Sequence, residues 1–354
     1  MAPHAEVDVD HVVSGLKVQD EVANLVTVSI GKIMQCDKTA EESLLEASKD
    51  LGFFYLDVRD HTSREVTKQI EIATASALQF YGLPQSEKST WEVNKDHVAG
   101  EEIIGGYKPA GVQTGSVAGK GDGFEGFLIF EHALRNAARD KPVNLPKAFQ
   151  EQREVIEATN QSLGDIGRVL LDSLSRSLNL TDEQNLARHH RKGHASPTAL
   201  GLLKYLPYGP ESEEVGHVPH TDIGSLSMVF SDVGGLQVYH PGKKAWVFIP
   251  PKPGHTVCNI GDSAEFLSKN VLRSSLHRVI PHPAATGKSK LTVVYLMRPE
   301  TDTVFVDREG KEWRSVDWHN MKNRLFAEDL ESQASNLALT GRLGHDDLWD
   351  EDTN

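Results

Sequence analysis

The stretch His217-Val218-Pro219-His220-Thr221-Asp222-Ile223-Gly224-Ser225-Leu226-Ser227-Met228-Val229-Phe230 decides how the rest of the chain is read. It contains a His-x-Asp pair, and a further histidine, His277, follows much later. Alternate side chains of an extended strand share a face, so His220 and Asp222 project together. An imidazole arriving from a distant strand completes a donor set of two histidines and one carboxylate. That set leaves the rest of an octahedral sphere open and selects non-haem Fe(II) engaged in oxygen chemistry. The chain has 16 histidines, so a lone His-x-Asp also arises by chance, usually as a satisfied polar pair. The surrounding text has to separate the two readings.

It does so by order and spacing. After the quoted stretch come Gly234-Gly235-Leu236-Gln237-Val238, Trp246, Pro250-Pro251, Asn259-Ile260-Gly261-Asp262 and Ser274-Ser275-Leu276-His277-Arg278-Val279. Together they resemble the 2-oxoglutarate/Fe(II)-dependent dioxygenases of the isopenicillin N synthase-like family, over roughly Gly52 to Pro299. The resemblance implies that His220, Asp222 and His277 bind Fe(II). It implies that 2-oxoglutarate and O2 take the free positions, with ascorbate as an optional reductant. It also implies decarboxylation of 2-oxoglutarate to succinate, coupled to oxidation of an unactivated C–H bond on a small molecule.

The family normally grips the far carboxylate of 2-oxoglutarate with an Arg-x-Ser on a late strand. The matching text here is Lys290-Leu291-Thr292, so the expected partners are Lys290 and Thr292. Lysine carries the charge without the two-pronged donor geometry of arginine. Arg298 is the alternative cation. A tyrosine from an early core strand also touches the cosubstrate in the family. Tyr205 is the candidate, although Leu206 takes its place if the neighbouring proline is aligned; a one-residue slip reverses the face. Asn259 either faces the open metal site or satisfies backbone groups, and Gly261-Asp262 resembles a turn supporting the metal-bearing strand. Tyr107, in a segment resembling the family's substrate entrance, lines the site or packs in the core. His217, three residues before His220, is expected on the opposite strand face. The cluster His189-His190-Arg191-Lys192-Gly193-His194 lacks a carboxylate or cysteine partner and reads as a solvated basic loop, or as the mouth of the site.

Composition limits the alternatives. With 37 basic against 51 acidic residues the net charge is −14, which disfavours nucleic acid or an anionic membrane as partner. No apolar run is long enough to span a membrane, and the first residues lack a secretory pattern. Cys36 and Cys258 are too few for a disulfide framework. A cytoplasmic enzyme with a small-molecule substrate and no obligate protein partner is the expectation.

The fold expected is mixed α/β (α+β): a double-stranded β-helix (jelly-roll) core with flanking N-terminal and C-terminal helices. Residues 1–25 are read as an arm, 26–195 as a helix-rich region, 196–300 as the core, and 301–354 as a C-terminal helix with an acidic tail. From Leu200 to about 300, short apolar runs broken by Gly, Pro, Ser or Asp recur at the spacing of a β-sandwich or barrel. Thr39-Ala40-Glu41-Glu42 and Thr62-Ser63-Arg64-Glu65 read as capping boxes opening helices closed by Gly52 and Gly82. Phe53 to Val58 reads as a buried strand. Residues 100–126, dense in glycine, read as a long loop. Residues 146–180 carry Ile156, Leu163, Ile166, Leu170 and Leu174 at helical spacing, a face expected against a sheet. Val316 to Leu339 reads as a helix.

Two other functions compete with the leading one. An oxidase of the isopenicillin N synthase type would keep the iron and dispense with 2-oxoglutarate. A catalytically idle relative would only bind a ligand.

Overall fold

The computed structural model describes residues 21–59, 64–92, 105–115, 120–131, 134, 145–207, 216–280, 287, 289–336 and 338. Most of the expected N-terminal arm, Thr62-Ser63 of the second capping box and the acidic tail lie outside the described residues.

The described residues form these strands in chain order: β1 Thr27–Ser29, β2 Phe53–Asp57, β3 Gly105–Lys108, β4 Phe124–Phe130, β5 Ala199–Tyr205, β6 His217–His220, β7 Leu226–Phe230, β8 Leu236–His240, β9 Ala245–Phe248, β10 His255–Ile260, β11 His277–Val279, β12 Lys290–Met297, β13 Val304–Val306 and β14 Glu312–Arg314. Eight of them form a sheet in the order β1-β2-β10-β7-β12-β5-β4-β3, and four form a smaller sheet, β6-β11-β8-β9. The pair β13-β14 stands apart. The two larger sheets face each other as the layers of a jelly roll, and side chains of both meet between them: Phe53, Tyr55, Tyr205 and Val257 from one, Leu236, Val238, Val247 and Val279 from the other. The large sheet draws β1 to β4 from before residue 196, so it crosses the expected domain boundary.

The outer face of the large sheet carries the main hydrophobic core. Leu200, Leu202, Met228, Cys258, Val293 and Tyr295 point that way, against Phe80, Ile156, Leu163 and Leu170 of the helices Arg64–Tyr81 and Arg153–Ser177. Both faces of the central strands are therefore buried, which explains their near-continuous apolar text. Each fully buried Leu or Phe contributes roughly 2 kcal/mol of transfer free energy. Close approach of the long helix needs glycine: a Cβ at Gly167 would lie 2.4 Å from Met297 Sδ, and one at Gly164 would lie 2.9 Å from the Tyr295 hydroxyl.

Three sequence expectations change. The helix Lys38–Lys49 is capped by Asp37, whose carboxylate accepts from Ala40 N at 2.9 Å, so Thr39 lies inside it. Residues 105–108 and 124–126 of the expected loop belong to the paired strands β3 and β4, Gly105 lying opposite Ile129 and Tyr107 opposite Phe127. Glycine has poor intrinsic strand propensity, and the partner strand supplies the register that local text does not. The C-terminal helix is interrupted: Ser315–Leu325 and Leu330–Ser335 flank a break after Phe326, and the second is capped by Asp329.

Candidate active site

β6 delivers His220 at its end, and Asp222 follows in the loop. β11 lies antiparallel to β6 with His277 directly opposite His220. Ring centroids of the two histidines are 4.3 Å apart. Asp222 Oδ1 lies 3.7 Å from His220 Nε2 and 3.8 Å from His277 Nε2. The three donor atoms lie within 4.8 Å of one another, as the His-x-Asp reading anticipated.

The neighbours fix what these atoms present. His220 Nδ1 is 2.8 Å from the Val218 carbonyl oxygen and His277 Nδ1 is 3.1 Å from that of Ser275. Carbonyls only accept, so both Nδ1 atoms carry hydrogen and both Nε2 atoms turn a lone pair inward. Burial pushes His220 down to a pKa of about 3, keeping it neutral at ordinary pH. Asp222 Oδ2 accepts from Ser227 Oγ at 2.6 Å and from Asn259 Nδ2 at 2.7 Å. Burial alone would raise the Asp222 pKa; the adjacent imidazoles and these two donors more than offset it, holding the group ionised. Oδ1 is left pointing at the imidazoles. Three acceptor atoms thus converge with no hydrogen-bond donor between them among the described residues. Such an arrangement is unfavourable when dry and becomes favourable around a divalent cation. The donor set fits Fe(II).

A cavity opens from these residues. Its wall includes Phe124, Leu203, Tyr205, His217, Lys290, Thr292, Arg298, Asn323 and Phe326. Lys290, Thr292, Val294 and Leu296, alternate side chains of β12, line it, and Arg298 joins them just past the strand end. Lys290 is buried, and with no carboxylate partner among the described residues its pKa falls to about 8 through burial. Its Nζ lies 5.4 Å from the centre of the Tyr205 ring. The Thr292 hydroxyl is 3.4 Å from that of Ser231.

The one-residue ambiguity at Tyr205 resolves by strand alternation. Leu203 and Tyr205 face the cavity, whereas Leu206 lies past the strand end and is not part of the wall. Tyr107 is not in the wall either. It stands on the helix side of β3, packs on Phe80 at 5.6 Å between ring centroids, and donates to Glu125 at 2.6 Å. Asn259 lines this cavity, as the first of its two readings expected, and there its amide holds the Asp222 carboxylate in place. His217 corrects the alternation argument: pairing between β6 and β11 is irregular, and the slip brings His217 onto the same side as His220, 4.1 Å between ring centroids. The 189–194 segment is not wholly solvated. His190 is buried and bonded to Ser225 Oγ at 3.0 Å, while Arg191 pairs with Glu300.

Sequence reasoning missed the support beneath the loop that carries Asp222. Lys322 is completely buried; its ammonium donates to Thr221 Oγ1 at 2.5 Å and pairs with Asp262. Asp262 N donates to the Asp222 carbonyl oxygen at 2.8 Å, so the turn expected to support the metal strand does so through this network. The signal was present: Trp318, Lys322 and Phe326 fall at helical spacing, a lysine in the middle of an inward stripe. Phe326 meets His220 at 5.4 Å between ring centroids, closing the cavity from the C-terminal side.

The 2OG-Fe(II) oxygenase superfamily model matches residues 197–299. The 2-oxoglutarate-dependent dioxygenase gloE of Glarea lozoyensis is 30% identical over 325 residues, covering 92% of this chain and 94% of the relative. The chain belongs to the 2OG-Fe(II) oxygenase superfamily. The 2-oxoglutarate-dependent dioxygenase ecdG of Aspergillus rugulosus is 29% identical over 293 residues, 82% of this chain and 85% of its own. Among solved structures, a putative 2OG-Fe(II) oxygenase family protein from Caulobacter crescentus superposes with a TM-score of 0.69 at 23% identity, over 86% of this chain and 99% of that one. The dioxygenase for auxin oxidation in rice gives 0.62 at 19% identity, over 87% and 98%, and like the former supports the fold. As a member of this superfamily the protein is an oxidoreductase dependent on Fe(II) and 2-oxoglutarate. The reading without 2-oxoglutarate loses its support, and no helix of the described residues is long and apolar enough to cross a membrane.

Proposed function

We propose that His220, Asp222 and His277 hold the ferrous ion, and that Lys290, Thr292 and Tyr205 receive the far end of 2-oxoglutarate. When bound, the iron and its cosubstrate supply the oxidising power that attacks a C–H bond of a small molecule, as in secondary-metabolite oxidations. The protein supplies placement. Ser227 and Asn259 fix Oδ2 of Asp222 so that Oδ1 faces the imidazoles, and the Lys322–Asp262 pair steadies the loop between the ligands. Phe124 and Phe326 provide an apolar wall that keeps water from the reacting carbon. Hydroxylation, desaturation and ring formation all fit this wall. Two unpaired cysteines and the need to keep iron ferrous favour the cytoplasm.

One observation carries the reading: converging acceptor atoms and a buried lysine without a carboxylate partner border the same cavity. Succinate formation from added 2-oxoglutarate tests it. Lys290→Ala removes a charge-assisted contact, so the KM for 2-oxoglutarate is expected to rise about 10- to 100-fold. An unchanged KM would shift the carboxylate to Arg298. Because the free lysine titrates near 8, cosubstrate affinity should also fall as pH rises through about 8; in Lys290→Ala that dependence should vanish.

A further inference from the structure

The cavity holds a second buried cation that 2-oxoglutarate does not account for. Arg298 is 7% exposed, and its guanidinium makes one hydrogen bond among the described residues, from Nη1 to the Pro197 carbonyl oxygen at 2.7 Å. Neighbouring carboxylates are committed elsewhere. Glu300 is taken by Arg191 and His194, while Asp222 gives Oδ2 to Ser227 and Asn259 and turns Oδ1 toward the two imidazoles. Burial lowers the Arg298 pKa to about 10 even though the charge of Asp222 opposes the shift, and among the described residues no carboxylate forms an ion pair with its guanidinium. His319, buried and held neutral, bonds to Asn323, which lines the cavity, so the helix facing Arg298 presents neutral groups there among the described residues.

Lys290 and Arg298 cannot share one small ligand. Lys290 opens β12 and Arg298 directly follows its last residue, and at about 3.3 Å per residue their Cα atoms are about 26 Å apart. A five-carbon diacid is far shorter than that. Leaving a buried guanidinium partly unsatisfied is costly, which argues for an anion supplied from outside the chain. One planar guanidinium matches one carboxylate with paired N–H donors, whereas a doubly charged phosphate calls for more than one cation.

Building on the assignment of Lys290 to 2-oxoglutarate, we propose that Arg298 anchors a carboxylate of the primary substrate. The enzyme then acts on organic acids, held by the acid group at Arg298 with their apolar part against Phe124 and Phe326.

The test uses full-length protein loaded with Mn(II) and saturating 2-oxoglutarate, with sodium benzoate as probe and benzamide as its neutral control. Benzoate is expected to raise the melting temperature in proportion to its occupancy, and benzamide is not. Arg298→Gln should weaken benzoate binding about 10- to 100-fold while leaving the Kd for 2-oxoglutarate unchanged by calorimetry. Arg298→Lys keeps the charge but not the fork, so benzoate should bind more weakly than to wild type with 2-oxoglutarate unaffected; this variant gives the reading if the glutamine form does not fold. Benzoate failing to protect the wild type, or protecting the variants equally, overturns the proposal. A loss of 2-oxoglutarate affinity in Arg298→Gln matching that of Lys290→Ala also overturns it, because the arginine would then hold the cosubstrate. If the wild type binds no 2-oxoglutarate at all, the failure lies with the Lys290 assignment instead.

Discussion

Asp222→Ala is expected to remove ferrous ion from the protein and to lower 2-oxoglutarate turnover by more than 100-fold, as iron content and succinate release would report. Loss of partners behind a metal ligand typically costs about 10- to 100-fold, and removing a ligand itself must cost more. The fold should survive. Without its carboxylate the site loses an anion facing two imidazole lone pairs, and its local cost is the Asn259 and Ser227 donors left unpaired, about 1–3 kcal/mol each at most. Circular dichroism should therefore be native-like. Full activity in the variant would remove Asp222 from the metal site.

Lys322→Met is the second large effect, and it acts on stability. The ammonium and the Asp262 carboxylate are both fully buried, and removing one partner of such a pair leaves a charge stranded in the interior. Arg308, 3.5 Å from the other oxygen of Asp262, relieves part of that cost. A loss of roughly 3 kcal/mol is expected in chemical denaturation, toward the low end for buried pairs. Because Lys322 also donates to Thr221, between the proposed ligands His220 and Asp222, iron affinity should fall in the same variant even under conditions where it is folded. Lys322→Met/Asp262→Leu should recover much of the stability but not the iron affinity. A loss below about 1 kcal/mol would mean that the pair behaves like a surface contact.

The convergence of His220, Asp222 and His277 was legible because two of the three lie only two residues apart. His220 ends β6 and Asp222 sits two residues on in the loop, still close enough to share the site, and His277 needed only a partner strand. The β-sandwich was legible for a similar reason: turn residues punctuate the chain from Leu200 to Pro299 at strand spacing. What failed was register that depends on a distant neighbour. His217 turns inward because pairing between β6 and β11 slips, and nothing within His217-Val218-Pro219-His220 records that slip. Gly105-Gly106-Tyr107 became a strand because β4 provides its hydrogen bonds, and the same pairing turned Tyr107 away from the cavity. Tyr205 was the opposite case: alternation alone puts it inside, while the alignment to a proline pulled the reading toward Leu206. Lys322 lay hidden because a lysine on a helix usually marks the solvated face, and only the buried Asp262 opposite explains it.

Anaerobic titration of the protein with ferrous ion and 2-oxoglutarate, followed by visible absorption, tests the central claim most directly. The wild type should bind one iron per chain and develop a weak charge-transfer band only when both are present, while Asp222→Ala and His277→Ala develop none. A band of equal strength in either variant, or a wild type that takes up no iron, would contradict the assignment of His220, Asp222 and His277 as the metal centre.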